Sequence, residues 1–421
     1  MSFDTAVSGI KASSTNLGII GNNIANAGTT GFKTSRGEFA DVYASSLLGT
    51  ASGAAGKGVA IVGISQSFTQ GNISSTNNVL DMAINGSGFF VMEDAGTNVY
   101  SRAGNFHVDR TGFVVNSDGN NLMVFNTTDA GVRSGGVSAL ELDTTLIQPK
   151  ATLKATMTAN LDSRAVKPAV AWGGPFDAFA ATPTAPDPTM FNSSTSITVY
   201  DSLGNSHIQS VYFVKDTAAN AWNVYSLMDG VSETGPTALT FNTAGQIPTA
   251  SLPFKVTPTA WAPLDAAGVA NGAAAQTFDL DLSKLTQFGS EFSVTDVVQD
   301  GFTTGQLRGV EVGDSGTVFA RFTNGQSRAL GQIVLANFTN TAGLTPLGGS
   351  KWSETFDSGQ PVLSTAGLGG LGNVQSGALE DSNVEVTEQL VSMIVAQRNF
   401  QANAKVIQTE DTITQTIINM R

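Results

Sequence analysis

A heptad stripe at each end of the chain, with turn-punctuated sequence between, is the feature that most narrows the folds open to it. Near the N-terminus, apolar or small residues fall at Phe3, Val7, Ile10, Ser14, Leu17, Gly21 and Ile24. The steps alternate four and three, the spacing of a helical seam. At the other end the run from Asn383 to Arg421 holds neither Pro nor Gly, and its seam reads Leu390, Met393, Gln397, Phe400, Ala404 and Ile407. The stripe resumes out of phase at Ile413, Ile417 and Met420. Ser382 and Glu385 are spaced for a capping box at its start, and a helix of this length reaches about 55 Å. Either stripe alone fits an amphipathic helix packed on its own domain. Two of them, both outside everything β-like, predict that they pair with each other or with copies from neighbouring chains. Helices of roughly 20 residues are marginal in water, so the ends are expected to be poorly ordered in an isolated subunit and to order on assembly.

The middle reads as all-β. Short apolar runs such as Gly88-Phe89-Phe90-Val91-Met92, Gly112-Phe113-Val114-Val115, Ser196-Ile197-Thr198-Val199-Tyr200, Val211-Tyr212-Phe213-Val214, Thr317-Val318-Phe319-Ala320-Arg321-Phe322 and Gln332-Ile333-Val334-Leu335-Ala336 have strand character. Asp118-Gly119, Asp229-Gly230, Asp314-Ser315-Gly316 and Asn324-Gly325 stand between them and tolerate the positive φ of tight hairpins. Leu47 to Gly63 and Gly367 to Gly377 are Gly-rich and read as linkers, and the Pro- and Ala-rich stretches 165–188 and 248–272 as long loops. The expected fold is mainly β with α-helical, coiled-coil-like termini. Residues 1–26 and 383–421 form a terminal helical domain, 27–70 a linker or extended segment, 71–147 and 301–382 a discontinuous β domain, and 148–300 an inserted β domain.

With 421 residues the chain exceeds one ordinary core. Its charged share of 13% is about half that of a usual globular protein, which suits surfaces covered by neighbours. A net charge of −13 without a basic cluster argues against nucleic acid and anionic membrane as partners. The chain has no Cys, which excludes disulfide scaffolds and thiol chemistry. Met1 to Thr5 does not begin a cleaved signal peptide, and no apolar run approaches the ~20 residues of a membrane span.

Catalytic and cofactor signals are weak. His107 and His207 are the two histidines; no HExxH and no nucleophile elbow accompany them, so each is expected in a turn or at the surface. Gly367-Leu368-Gly369-Gly370-Leu371-Gly372 matches a dinucleotide fingerprint by letter. It lacks the preceding strand and following helix that the phosphates need and reads as a loop. No catalytic residue, cofactor or metal is expected.

Two terminal stretches carry a resemblance. Gly21-Asn22-Asn23-Ile24-Ala25-Asn26-Ala27-Gly28-Thr29-Thr30-Gly31-Phe32-Lys33 resembles the N-terminal signature of the flagellar rod and hook family. Ser382-Asn383-Val384-Glu385, Glu388-Gln389-Leu390-Val391-Ser392-Met393-Ile394 and Gln397-Arg398-Asn399-Phe400-Gln401-Ala402-Asn403-Ala404-Lys405 resemble its C-terminal signature. Inside, Asp81 to Phe90 and Arg102-Ala103-Gly104-Asn105-Phe106 are similar to runs shared by rod and hook members. Val199-Tyr200-Asp201-Ser202-Leu203-Gly204-Asn205-Ser206-His207, within the inserted domain, favours the hook branch over the shorter rod members. Locally, Asn and Gly after Ile24 suit a helix stop.

The resemblance implies a non-enzymatic subunit of a flexible helical tube, a universal joint carrying torque from rod to filament. The alternatives are a distal rod subunit or, from another class, a secreted β-rich enzyme or adhesin. It implies export through the flagellar type III apparatus to the extracellular flagellum. The partners would be further copies, the distal rod protein, the hook-filament junction protein, and the cap and length-control proteins. The terminal helices would line the tube, the inserted domain would face outward, and the Gly-rich linkers would let domains shift. The seam residues Phe3, Val7, Ile10, Leu17, Ile24, Leu390, Met393, Phe400, Ile407 and Ile417 are the expected assembly positions, with Asn22, Asn23, Ala25, Asn26, Thr30, Gly31, Phe32, Lys33, Gln397, Arg398, Ala402 and Asn403 as signature residues.

Overall fold

A computed structural model describes residues 2–42, 56–143, 145–258 and 260–420. The chain divides into two compact units. The first comprises residues 1–144, 308–321 and 327–421, and the second residues 145–307 and 322–326. Both are built mainly of strands, and the long helices are confined to the two ends: α1 spans Ser2–Ala25 and α2 spans Val386–Asn419.

In the first unit a large sheet runs in the order Leu307–Val312, Thr317–Phe322, Ser327–Ile333, Asn121–Thr127, Phe89–Asp94, Thr97–Ser101, Lys351–Ser353 and Thr345–Gly348. The unbroken apolar run Phe89-Phe90-Val91-Met92 is explained by its place in the middle of this sheet. Successive side chains point to opposite faces, and both faces are covered. Phe90 and Met92 join Met82, Phe106, Leu122 and Ile333 on one side, while Phe89 and Val91 join Tyr100, Phe338 and Trp352 on the other. The run Gln332 to Ala336 is two strands and not one. Ser327–Ile333 ends by pairing Gln332 with Phe125, and Leu335–Asn337 pairs Leu335 with Phe90. Val334 turns between them, its amide donating to Met123 O at 3.1 Å.

Two expected linkers contain strands. Ser35–Asp41 (β1) and Val59–Gln66 (β2) form an antiparallel pair, so the far end of the stretch Leu47 to Gly63 is ordered by a partner strand; residues 43–55 lie outside those described. In the stretch Gly367 to Gly377, the loop gives way to Asn373–Ser376, which pairs with Met82–Asn85, and Ala378–Glu380 then pairs with Ile73–Ser75. The glycine run therefore opens a strand, which no dinucleotide fingerprint does.

The second unit packs two sheets face to face. Ser193–Tyr200, Ser206–Lys215, Ala221–Met228 and Ser232–Thr240 form an antiparallel meander. Opposite it, Lys154–Asp162 pairs parallel with Asp279–Asp281 and Thr286–Phe288 and antiparallel with Ser293–Gln299. Met157, Leu161, Val199, Phe213, Trp222 and Leu280 fill the space between, and the Trp222 indole donates to Gln287 Oε1 at 2.8 Å. At the three-residue turn into Ser232–Thr240, closed by Val231 N donating to Met228 O, Asp229 and Gly230 both have positive φ, 51° and 71°, which their residue types accept readily.

His207 departs from the expected surface role, whereas His107 is exposed at a strand edge. Tyr200 to Asn205 folds around the Asp201 carboxylate, which accepts from Leu203 N and Asn205 N at 2.9 and 2.8 Å. That turn sets His207 in the interior. Its Nδ1 lies 2.8 Å from Asp229 Oδ2 and its Nε2 3.3 Å from Asp201 Oδ2, and its ring meets Trp261 edge to face. A buried imidazole needs partners at its nitrogens, and the two carboxylates supply them.

Candidate assembly site

α1 and α2 pack together in antiparallel sense, with Gly9 against Asn403 at one end and Asn23 against Gln389 at the other. Small residues permit the approach: Ala6 and Ala396 are buried in the pair, and a Cβ on Gly9 would come within 2.7 Å of the Asn403 amide. The face α2 turns inward carries Gln389, Met393, Ala396, Phe400, Asn403 and Ile407, buried or half-buried at heptad spacing. α1 serves two neighbours, because β1 and β2 also lie against it. Ile19 and Ile20 are buried there, and Gly37 of β1 sits against Ile19 Cδ1.

Of the seam positions read from sequence, Val7, Ile10, Leu17, Ile24, Met393, Phe400 and Ile407 are half-buried, and Phe3, Leu390 and Ile417 are exposed. A second α2 stripe is uncovered. Val391, Val395, Ala402, Val406, Ile413, Ile417 and Met420 follow one another at heptad-like steps, and all are exposed. At 34 residues against 24, α2 is longer than α1 by about 15 Å at 1.5 Å per residue. Its last two and a half turns or so, residues 411–419, are exposed all round.

The signature residues gather where the helices meet the strands. Asn23 is 1% exposed; its amide brackets Ser35, accepting from Ser35 N at 3.0 Å and donating to Ser35 O at 2.8 Å, and reaches Gln389 Oε1 at 3.1 Å. Asn26 closes the helix, its Nδ2 donating to Asn22 O at 2.9 Å and its Oδ1 accepting from Thr29 Oγ1 at 3.2 Å. Ala25 is the last helical residue. Thr30 O accepts from Ser350 Oγ at 3.2 Å, and Phe32 is half-buried. Gly31 takes φ +68°, and an ideal Cβ there would lie 2.4 Å from Ala103 N, so neither the conformation nor the space admits a side chain. On α2, Gln397, Arg398 and Ala402 are exposed, while Asn403 is half-buried and donates to Asn399 O at 2.9 Å.

The capping box does not form. α2 begins one residue after Glu385, which makes no side-chain cap, and Ser382 Oγ accepts from Val384 N at 3.3 Å. The residues before the helix are held through Asn383 to the positions just outside β1 and β2. Its Oδ1 accepts from Thr34 N at 2.7 Å, and its Nδ2 donates to Ser67 O at 2.8 Å.

Beneath this junction lies a buried ion cluster. Lys33 Nζ is 2.6 Å from Glu380 Oε1, Arg102 Nη1 is 3.2 Å from Glu380 Oε2, and the three side chains are 0%, 4% and 0% exposed for Lys33, Arg102 and Glu380. Lys33 also donates to Thr69 O at 2.7 Å, and Gly71 N to Glu380 Oε1 at 3.0 Å. Burial pushes both the Lys33 ammonium and the Arg102 guanidinium below their ordinary values, against the pull of Glu380. One carboxylate thus holds together the segment after α1, the segment after β2, the strand before α2 and Arg102. Glu380 escapes a motif reading. Its one local signal is alternation, which places it on the same side of its strand as buried Ala378. Among the described residues no group of His, Cys, Asp or Glu is arranged to hold a metal, and no helix is long and apolar enough to cross a membrane.

Known proteins are similar to this chain in sequence along its whole length. Residues 3–33 match the family described as flagella basal body rod protein, 83–158 the flagellar hook protein FlgE/F/G D1 domain, 160–302 the flagellar basal body protein FlaE D2 domain, and 375–420 the flagellar basal body rod FlgEFG protein C-terminal region. The flagellar hook protein FlgE of Escherichia coli K12 is 39% identical, covering 100% of both chains. That of Borreliella burgdorferi is 32% identical over 99% of this chain and 98% of its own. In fold, the crystal structure of Helicobacter pylori flagellar hook protein FlgE2 superposes with a TM-score of 0.52 at 15% identity, covering 73% of this chain and 100% of that one.

Proposed function

Because this chain belongs to the flagellar hook protein family, we propose that it polymerises through its terminal helices into a tube that carries torque from rod to filament. As a hook protein it is a structural subunit of the bacterial flagellum. The observation that supports helix-driven assembly is the second apolar stripe of α2, Val391 to Met420, which α1 leaves in water. A long helix with one face paired and another apolar face open is half of a larger bundle. Neighbouring copies, which carry the same pair, supply the rest. Contacts of this head-to-tail kind do not close and so generate a filament.

In this reading Asn23, Gly31, Lys33 and Asn383 fix the angle at which the helices leave the strands, and the exposed seam residues Phe3, Leu390 and Ile417 face other copies. The helices line the tube, residues 71–147 and 301–382 surround it, and residues 148–300 lie outermost. Each added copy orders its ends against those already in place. The ends of the tube meet the distal rod protein, the cap and the hook-filament junction protein, and the subunit travels there through the type III apparatus, under length control. It performs no catalysis.

Removing residues 383–421 tests the proposal. The shortened protein stays soluble with folded β units and sediments as a monomer under conditions where the full chain forms tubes. A sharper variant, Val406→Asp with Ile417→Asp, leaves the α1 contact untouched and still abolishes polymer. Tubes formed by either would sink the helical-core reading.

A further inference from the structure

Among the described residues, four polar atoms in the second unit are closed to solvent and have no protein partner within hydrogen-bond reach. They are Gln209 Nε2, Gln209 Oε1, Trp261 Nε1 and Gln276 Oε1. Gln209 is wholly buried and Trp261 is 2% exposed. The fold brings the three side chains to one place. His207 and Gln209 are two apart on Ser206–Lys215, so both point to the inner face of the meander. The Trp261 ring lies against the His207 ring at 4.6 Å between centroids. Gln276 is tied to Trp261 by a reciprocal backbone pair, each amide donating to the other's carbonyl at 3.0 Å. The Gln276 Nε2 donates to Tyr200 O at 3.1 Å, on the strand that pairs Val199 with His207 and Ile197 with Gln209.

Left bare, these atoms would be a heavy burden on the fold. Each buried donor or acceptor without a partner lowers the ratio of folded to unfolded chain roughly tenfold to a hundredfold. Four of them together would cancel about the whole ratio of an ordinary domain. The set is also complementary. Gln209 Nε2 and Trp261 Nε1 only donate, while Gln209 Oε1 and Gln276 Oε1 only accept. A buried water typically makes about three hydrogen bonds to groups of this kind, giving some and taking others. The three side chains are uncharged, and the carboxylates next to them are engaged. Asp201 accepts from Asn205 and Asn271 and faces His207 Nε2, and Asp229 accepts from Ile208 N and faces His207 Nδ1. The site therefore suits a neutral donor and acceptor rather than an ion.

We propose that one buried water is an integral part of the second unit, held by Gln209, Trp261 and Gln276. It bridges the meander to the Pro- and Ala-rich stretch 248–272, which carries Trp261, and so pins that long loop across the end of the core.

Magnetisation transfer from water to the indole protons, measured on the monomeric full-length chain labelled with nitrogen-15 tryptophan, tests the proposal. A long-lived water gives a cross-peak of dipolar sign at Trp261 Nε1–H, and Trp261→Phe identifies that indole. Trp222 is the control, because it is equally buried and its Nε1 donates to Gln287 Oε1; it shows no such peak. Gln209→Met supplies a second readout. If Gln209 were bare, the apolar side chain would raise the urea midpoint of the second unit by removing two orphaned atoms. With the water in place, the same change strips the water of its support. It lowers the folded-to-unfolded ratio about tenfold and abolishes the Trp261 cross-peak. A Trp261 indole silent to water in the wild type overturns the proposal, and so does a raised or unchanged midpoint in Gln209→Met.

Discussion

Glu380→Gln should damage the junction beneath the helices far more than Lys33→Met, although each substitution removes one member of the same buried cluster. In wild type one carboxylate faces two cations at 2.6 and 3.2 Å, all but closed to water. Glu380→Gln leaves an ammonium and a guanidinium buried together with no anion. Breaking a buried pair in this way costs about 3–5 kcal/mol, because the remaining charge stays desolvated. Lys33→Met leaves the Glu380–Arg102 pair in place and removes the ammonium whose burial already depresses its pKa. Thr69 O loses one donor but keeps Asn383 Nδ2 at 3.1 Å, so the change is expected to fall within about 1 kcal/mol of wild type. Hydrogen exchange at Gly31 and Gly71 reads the junction directly, since those amides donate to Glu380 O and Glu380 Oε1 at 2.8 and 3.0 Å. Glu380→Gln should lower their protection roughly a hundredfold or more, at about tenfold per 1.4 kcal/mol, and Lys33→Met by less than about tenfold. Equal losses in the two variants, or full protection in Glu380→Gln, would refute the account of the cluster.

Three further outcomes follow from the geometry. Asn383→Ala strands the half-buried Thr34 amide and hands the exposed Ser67 carbonyl to water, and should cost about 1–2 kcal/mol, read as a lower urea midpoint for the first unit; an unchanged midpoint contradicts it. Gly31→Ala combines a left-handed backbone with a Cβ 2.4 Å from Ala103 N and should cost at least about 2 kcal/mol, visible as a drop in melting temperature. Burial raises the Asp201 carboxyl, but hydrogen bonds from Asn205, Asn271 and His207 outweigh it, so its folded value lies below the ordinary 3.8. Its stabilisation is present above that value and is lost as pH falls through the folded one. Urea titrations followed by tryptophan fluorescence should show the second unit weakening below pH ~4, and Asp201→Asn should flatten that dependence.

Much of the architecture is visible locally. Four-three spacing at Phe3 to Ile24 and Leu390 to Ile407 marks helices, because one turn of backbone brings those positions to one side whatever lies beyond. Asp229-Gly230 marks a hairpin because few other pairs accept positive φ at both positions. The face each helix buries is less legible. Large apolar residues dominate a periodicity reading, whereas Ala6, Gly9 and Ala396 mark where the backbones approach. Stretches that look like linkers from glycine content become strands at Val59–Gln66 and Asn373–Ser376 once a partner edge is available. His207 read as a surface residue because nothing in its neighbourhood shows that Asp229 will face it.

By itself, the sequence determined helices at both ends, strands and tight turns between, and the terminal signatures that place the chain among flagellar rod and hook proteins, with the Val199 to His207 run favouring the hook. These properties depend on residues within a few positions of one another. Only the tertiary structure decided that Lys33 meets Glu380 across 347 residues and Arg102 across 278, that Asn383 ties the start of α2 to Thr34 and Ser67, and that one stripe of α2 is paired while the next stays open. A buried charge is defined by what surrounds it, and an uncovered face by what fails to reach it. Both are set by long-range packing, which local periodicity does not encode.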